Sequence, residues 1–240
     1  MSVADSSQID RTRQRLLSRI HRHYRTVTTP IDLGGLEVQF TRIAEPDRVL
    51  DDVVAREHDG GAKDLHVPYW AELWESALGL GRIVGGFIQP GMRVLDLGCG
   101  MGLTSAAAAA AGAIVTMADL EPLALLFARL NTLPWQDRTS ARRLNWQTDA
   151  LERPVDLITG SDIIYERAQW EPLEKFWRTN LSPGGALLLA EPNRATAEDF
   201  PAWMSKHGWI SKKPVYTDVP RQPPQVIAIN RLLFQRNSGS

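Results

Sequence analysis

The 240-residue chain has one cysteine, Cys99, so it can form no internal disulfide and offers no cysteine-based zinc site. It also has almost no excess of charge, because 27 basic residues against 28 acidic ones give a formal net charge of −1. Nucleic-acid-binding proteins usually carry a clear basic excess, so this balance argues against such a partner. The longest apolar run, Ala106–Ala111, is far too short to cross a bilayer.

The low content of glycine and proline and the polar N-terminal sequence exclude further classes of protein. The 18 glycines and 15 prolines are too few and too scattered for collagen or a low-complexity array, and 43% hydrophobic residues are typical of a globular protein. The N-terminal sequence has no apolar signal core, and Asp5 and Asp10 are atypical of a transit peptide. We therefore expect a cytoplasmic protein without a membrane partner. No cluster of metal ligands is visible, so we expect no metal.

The first 75 residues predict a helix followed by a β-hairpin. Apolar residues recur at helical spacing over Gln8–Tyr24, and Val27–Ile43 alternates apolar and polar residues around Gly34-Gly35, a pair that suits a tight turn. The helix is rich in arginine, either as a solvated face or as a docking surface for an acidic partner. We expect residues 1–75 to pack as an extension on a core of residues 76–240, within one structural domain.

From Arg93 onward, short apolar runs alternate with helical patterns, which predicts a mainly parallel sheet covered by helices on both faces. The runs lie at 93–97, 113–118, 141–146, 155–163, 185–191, 209–216 and 226–234. The helical patterns lie at Leu103–Ala111, Pro122–Asn131, Trp170–Asn180 and Thr196–His207. No helix separates the last two runs, so we expect them to form an antiparallel pair at one edge.

A glycine-rich loop follows the first of these strands, in the sequence Val94–Gly102. Its G-x-G-x-G spacing differs from the G-x-G-x-x-G that places a dinucleotide pyrophosphate on a helix N-terminus. Asp96, two residues before the first glycine, would repel a pyrophosphate but suits the ammonium group of a methionine moiety, directly or through water. Asp119 ends the second strand, where an acidic side chain can hold both ribose hydroxyls. These features favour S-adenosylmethionine over NAD or a flavin.

The VLDLGCGMG segment together with Asp119 resembles the class I S-adenosylmethionine-dependent methyltransferases over roughly Arg93–Phe234. That resemblance implies a Rossmann-like doubly wound α/β sheet of seven strands in the order 3-2-1-4-5-7-6, with strand 7 antiparallel. It also implies S-adenosylhomocysteine as the product of the cofactor.

Three shorter segments, PYWAELWESALGL, LNW and SDIIY, resemble one branch, the family-16 methyltransferases that modify lysine side chains of proteins. The resemblance implies Asp162 and Tyr165 as catalytic residues. The cofactor-binding residues that it implies, with those of the glycine loop, are Trp74, Asp96, Gly98, Cys99, Gly100, Gly102, Asp119, Leu120, Trp146 and Ser161. A protein substrate follows as the expected partner.

Each of these residues also has a purely structural interpretation. Trp70, Trp74 and Trp146 fit a hydrophobic core as well as a pocket, and Asp162 fits a helix cap. The Glu191–Arg194 segment departs from the Asp-Pro-x-Arg form of family members that act on the electron-transfer flavoprotein β-subunit. The functional alternatives are a small-molecule amine methyltransferase and a cofactor-binding protein without catalysis.

Overall fold

The structure, a computed structural model, describes residues 3–49, 51, 68–192, 194–219 and 225–234. Asn193, the link at 220–224 between the last two predicted strands, and part of the predicted N-terminal extension lie outside the described residues.

A single large sheet forms the centre of the fold. Its strands are β3 (Arg93–Leu97), β4 (Ile114–Asp119), β5 (Thr139–Arg143), β6 (Val155–Ser161), β7 (Leu181–Glu191), β8 (Trp209–Ser211), β9 (Val215–Val219) and β10 (Gln225–Phe234). They are ordered β5-β4-β3-β6-β7-β10-β8, with β10 antiparallel to β7 and parallel pairing from β5 to β7. The predicted order 3-2-1-4-5-7-6 with an antiparallel strand 7 is therefore confirmed.

Several strand bounds differ from the sequence prediction: β6 ends two residues early, at Ser161, and β7 begins four residues early, at Leu181. The run at 209–216 is not one strand but the two short strands β8 and β9, both antiparallel to β10. Pro214 lies at the break, where its missing N–H cannot contribute to the ladder. The third core strand ends at Arg143, so Trp146 lies in the following turn.

Helices cover both faces of the sheet because its buried strands are apolar on both sides. They are α2 (Glu75–Val84), α3 (Leu103–Ala110), α4 (Pro122–Asn131), α5 (Trp170–Asn180) and α6 (Phe200–Lys206). Val94 belongs to the hydrophobic cluster beneath α2, α3 and α4, whereas its neighbour Leu95 belongs to the cluster beneath α5 and α6. Among the described helices, none has the length and apolarity needed to cross a membrane.

The N-terminal elements share the first of these clusters. Helix α1 (Val3–Ile20) buries Leu16 and Ile20 in it, and the hairpin of β1 (Thr26–Asp32) and β2 (Glu37–Ile43) buries Phe40. Asn131 at the end of α4 ties the hairpin down: its Oδ1 accepts the Thr41 N–H at 2.8 Å and its Nδ2 donates to the Thr41 carbonyl at 2.9 Å. These buried amide bonds fix the hairpin against the sheet's carboxyl end.

Candidate functional site

A cavity of about 680 Å³ opens at the carboxyl ends of the parallel strands, where ligands bind in open α/β sheets. Its size is that of a small-molecule or cofactor site. Nine of the ten predicted cofactor-binding residues line it, as do both predicted catalytic residues. The nine are Trp74, Gly98, Cys99, Gly100, Gly102, Asp119, Leu120, Trp146 and Ser161.

The glycine loop has a backbone shape that only glycine permits. Gly98 has φ 65° and Gly102 has φ 85°, both in the left-handed region. A Cβ at Gly98 would lie 2.9 Å from the Ile163 side chain, and one at Gly102 would lie 2.8 Å from Ala128 Cα. The loop therefore lets α3 begin tightly against α4 while its own backbone borders the cavity.

Asp119 holds this loop from the end of β4. One carboxylate oxygen accepts the Gly100 N–H at 2.9 Å and the other accepts the Glu121 N–H at 3.0 Å. Burial raises the pKa of Asp119, against the opposing effect of these N–H bonds. The Asp119 carboxylate accepts the Gly100 N–H, a donor that a bound pyrophosphate would need. Its remaining lone pairs can accept hydrogen bonds from ribose hydroxyls. This donor and acceptor set fits S-adenosylmethionine better than a dinucleotide.

Asp96 is the predicted cofactor residue that the structure does not bring into the cavity. It is 2% exposed and accepts hydrogen bonds from Ser105 Oγ at 2.5 Å and Thr159 Oγ1 at 2.8 Å. Burial raises its pKa to about 6, and these two bonds only partly oppose the rise. Its side chain thus joins β3, β6 and α3 beneath the glycine loop and does not line the cavity, so its predicted contact with the ammonium group, direct or through water, stays a prediction.

The tryptophans divide between cavity and core. Trp170, Trp177 and Trp209 are fully buried in the cluster beneath α5 and α6. Trp74 and Trp146 are half-buried and line the cavity. Each is oriented through its indole N–H, which donates to the Tyr69 carbonyl at 2.7 Å in Trp74 and to Gln169 Oε1 at 3.0 Å in Trp146. Gln169 had no recognisable signal in the sequence.

The predicted catalytic residues lie together after β6. Asp162 has φ 56°, an uncommon backbone for a residue with a side chain, and its N–H donates to the Ala190 carbonyl of β7 at 2.9 Å. Its carboxylate accepts Arg194 Nε at 3.0 Å and Arg194 Nη2 at 2.7 Å, and it caps no described helix. Tyr165 packs edge-on against Tyr69 with ring centroids 5.3 Å apart.

Two titratable groups of the cavity are held in their neutral forms. Burial, followed by the nearby Glu166 charge, raises the pKa of Tyr165 to about 12. Burial also raises the pKa of Cys99 well above its ordinary value, with Asp119 adding to the rise. Neither group is therefore a base at neutral pH.

Comparison with known proteins places the chain among methyltransferases. A family model described as lysine methyltransferase matches residues 74–206. The electron transfer flavoprotein beta subunit lysine methyltransferase of Danio rerio is 31% identical over 148 residues, 58% of this chain and 56% of the relative. A ubiquinone biosynthesis O-methyltransferase of Xanthomonas campestris is 36% identical over 110 residues, 45% of this chain and 46% of the relative. The chain spans about half the length of these curated relatives.

A solved structure shows the same fold. An S-adenosylmethionine-dependent methyltransferase from Geobacter sulfurreducens, in complex with S-adenosylhomocysteine, matches with a TM-score of 0.52 at 16% identity, covering 68% of this chain and 92% of that one.

Proposed function

Because the chain belongs to the family-16 methyltransferases, whose methyl donor is S-adenosylmethionine, we propose that it methylates a lysine ε-amine of a protein substrate. The observation that carries this proposal is the acceptor side of the cavity. There the Asp162 carboxylate lies among the rings of Tyr69, Trp74 and Tyr165, all of which line the cavity. Aromatic faces beside a carboxylate suit an alkylamine and the methylated cation that it becomes.

The glycine loop would bind the methyl donor, S-adenosylmethionine. Asp119 would accept hydrogen bonds from its ribose hydroxyls, and Trp146 would lie beside its adenine ring. S-adenosylmethionine supplies an electrophilic methyl group whose thioether leaving group needs no acid. The chain's task is therefore to bring the acceptor nitrogen in line with that methyl group, and orientation of this kind supplies much of the rate enhancement.

An acceptor lysine has to lose a proton before it attacks, since its unperturbed pKa is about 10.4. The half-buried aromatic surroundings favour the neutral amine. Asp162 would accept an N–H bond from this amine and fix its direction. Tyr165 remains a phenol, because its pKa is about 12, so it serves as a wall and hydrogen-bonding group and not as the base.

The basic face of α1 supports a protein as the substrate. Arg11, Arg15 and Arg19 of α1 and Arg22 just beyond its end are exposed, and none forms an ion pair with any residue in the described part of the chain. Tyr24, just beyond α1, contacts the ring of Trp70, which lines the cavity, with centroids 6.3 Å apart. An acidic patch on a folded substrate would be attracted to this face, and more weakly as salt rises.

The second candidate is a small-molecule methyltransferase. The likeness to the ubiquinone biosynthesis O-methyltransferase favours it, although that match covers under half of either chain.

The test incubates the purified protein with methyl-labelled donor and host-cell lysate, and then locates the label by mass spectrometry. We expect label on lysine of one or a few proteins, mostly lost with Asp162→Ala and absent when the acceptor lysine becomes arginine. Raising the salt concentration should slow labelling in wild type more than in an Arg15→Gln, Arg19→Gln variant. Label only in small molecules, or on protein residues other than lysine, would refute the proposal.

A further inference from the structure

Asp162 and Arg194 form a two-pronged ion pair at the edge of the acceptor site. Both carboxylate oxygens are engaged, at 3.0 and 2.7 Å, and the Asp162 side chain is 8% exposed against 40% for Arg194. The guanidinium also lies 5.6 Å from the centroid of the Trp74 ring. Paired hydrogen bonds of this kind hold both planes in one orientation.

The backbone around the pair is fixed on both sides. Ser161 and Ala190 are partners in the parallel β6–β7 ladder, and the Arg194 N–H donates to Glu191 Oε2 at 3.1 Å. Two side chains from neighbouring strand ends are thereby brought face to face. The strand register brings the residues that follow β6 and β7 to the same edge of the sheet, where Arg194 reaches Asp162.

The pairing has a chemical consequence for an amine acceptor. A lone carboxylate within about 4–6 Å favours the ammonium form, raising its pKa by about 1–3 units. That would oppose methyl transfer, which needs the neutral amine. A carboxylate that already carries a guanidinium is neutral as a pair, yet it has about four lone-pair sites and keeps some for another N–H donor.

We propose, on the basis of the function proposed above, that Arg194 is a positioning residue that cancels the charge of Asp162. Asp162 then orients the acceptor amine through a hydrogen bond without stabilising its protonated, unreactive form. Other titratable groups also face the pair. They are Tyr69, Glu72 and Glu75 before and within α2, Tyr165 and Glu166 after β6, and Glu191 at the end of β7. These groups are the same in wild type and in the Arg194 variants that are compared below.

The first test needs no knowledge of the acceptor. Sinefungin carries an amine where S-adenosylmethionine carries its transferable methyl group, so its amine reports on charge at the acceptor position. We expect Arg194→Gln to raise the affinity for sinefungin relative to S-adenosylhomocysteine by roughly tenfold at pH 8, the factor for about one pKa unit. Arg194→Lys, which keeps the charge, should leave the ratio at its wild-type value.

The control is Arg167→Gln, which removes the same charge from the exposed Arg167–Asp199 pair outside the cavity lining. It should not alter the ratio. Affinity for S-adenosylhomocysteine serves as the check that each variant is folded. If Arg194→Gln does not bind S-adenosylhomocysteine, Asp162→Asn replaces it in the test. That variant leaves the Arg194 charge unbalanced, so it should lower the affinity for sinefungin relative to S-adenosylhomocysteine. The proposal would be overturned if Arg194→Gln left the ratio of sinefungin to S-adenosylhomocysteine affinity unchanged. It would also be overturned if Arg194→Lys changed that ratio by the same factor.

The second test uses the protein that acquires label in the lysate experiment, purified as substrate. With Arg194→Gln, the midpoint of the kcat–pH profile should move about one unit toward alkaline pH, with KM not raised. Lower kcat with an unmoved midpoint would mean that Arg194 only aligns Asp162, and would refute charge cancellation. Failure of the lysine assignment appears separately, as absence of lysine label with wild-type protein.

Discussion

Substituting Asp96 by asparagine should change the stability of the protein with pH while leaving the cofactor site intact. The carboxyl group is fully buried and bonded to the Ser105 and Thr159 hydroxyls. An asparagine side chain has the same shape and can retain bonds to both hydroxyls, but it cannot ionise. The substitution therefore isolates the effect of burying the charge.

The magnitude follows from the pKa of Asp96, which burial raises from 3.8 to about 6. Between these values the folded state binds more protons than the unfolded state, so the free energy of unfolding falls as pH rises. The contribution of protonated Asp96 is fully present below pH 3.8 and is lost once pH passes about 6. At 1.36 kcal/mol per pKa unit, the loss is roughly 3 kcal/mol.

The measurement is urea denaturation of wild type and Asp96→Asn at several values between pH 4 and pH 8. The difference in unfolding free energy, variant minus wild type, should grow by roughly 2.5 kcal/mol between pH 4 and pH 8, because a small part of the full effect is already lost at pH 4, and it should level off above about pH 6.5. Carboxyl groups that do not interact with Asp96 titrate alike in both proteins and cancel, whereas Asp119, whose charge contributes to the raised pKa of Asp96, is coupled to it. If the difference in unfolding free energy does not change with pH, the pKa of the buried Asp96 carboxyl is not raised.

The same variant separates two roles of Asp96 in the site. Because the side chain lies beneath the loop and not in the cavity, S-adenosylhomocysteine affinity at pH 7.5 should change by less than about fivefold, under 1 kcal/mol. A charge-assisted bond to the cofactor's ammonium would instead be worth about 1.5–3 kcal/mol. A loss of that size in calorimetry would support the contact with the ammonium group, direct or through water, that the sequence predicts.

Three further outcomes test the cavity. Asp119→Ala should weaken S-adenosylhomocysteine binding in calorimetry by on the order of 2–4 kcal/mol, since charge-assisted ribose bonds and the brace on Gly100 are both lost; unchanged affinity would remove Asp119 from the site. Trp74→Phe and Trp146→Phe should each reduce the change in tryptophan fluorescence on cofactor binding, and if neither alters signal or affinity, both rings belong to the core. Asp162→Ala should lose most turnover with cofactor affinity nearly intact, because its proposed hydrogen bond to the acceptor amine acts mainly on the transition state. Tyr165→Phe should lose less turnover. Full activity of the Asp162 variant would contradict its role.

The sheet could be predicted from the sequence because its signals are local. Most of the parallel strands are apolar runs next to a helical pattern, and α4 and α5 have the predicted bounds. The strand order came from the resemblance carried by the glycine loop. The division of 209–216 into β8 and β9 was missed, although Pro214 marks the break, because a strand at a sheet edge can accommodate a proline.

The site was predictable where a residue's position on a strand end decides its direction. Asp119 and Ser161 end strands at the carboxyl edge and Trp146 follows one, so their presence at the cavity follows from topology. Asp96 also lies near a strand end, but one residue earlier than Leu97, and side chains alternate between faces along a strand. Its partners Ser105 and Thr159 come from α3 and β6, a three-way contact that spacing alone does not indicate.

Arg194 shows where a stronger inference from sequence was available. It lies 32 residues after Asp162, and no local motif connects the two. Yet β6 and β7 are neighbours in the predicted strand order, so the residues that follow them must meet at the same edge. An acidic residue just after one strand and an arginine just after its neighbour make an ion pair the expected result. In the proposed mechanism the pair determines the charge that an acceptor amine meets: with Arg194 in place, Asp162 would direct a nucleophile without holding its proton.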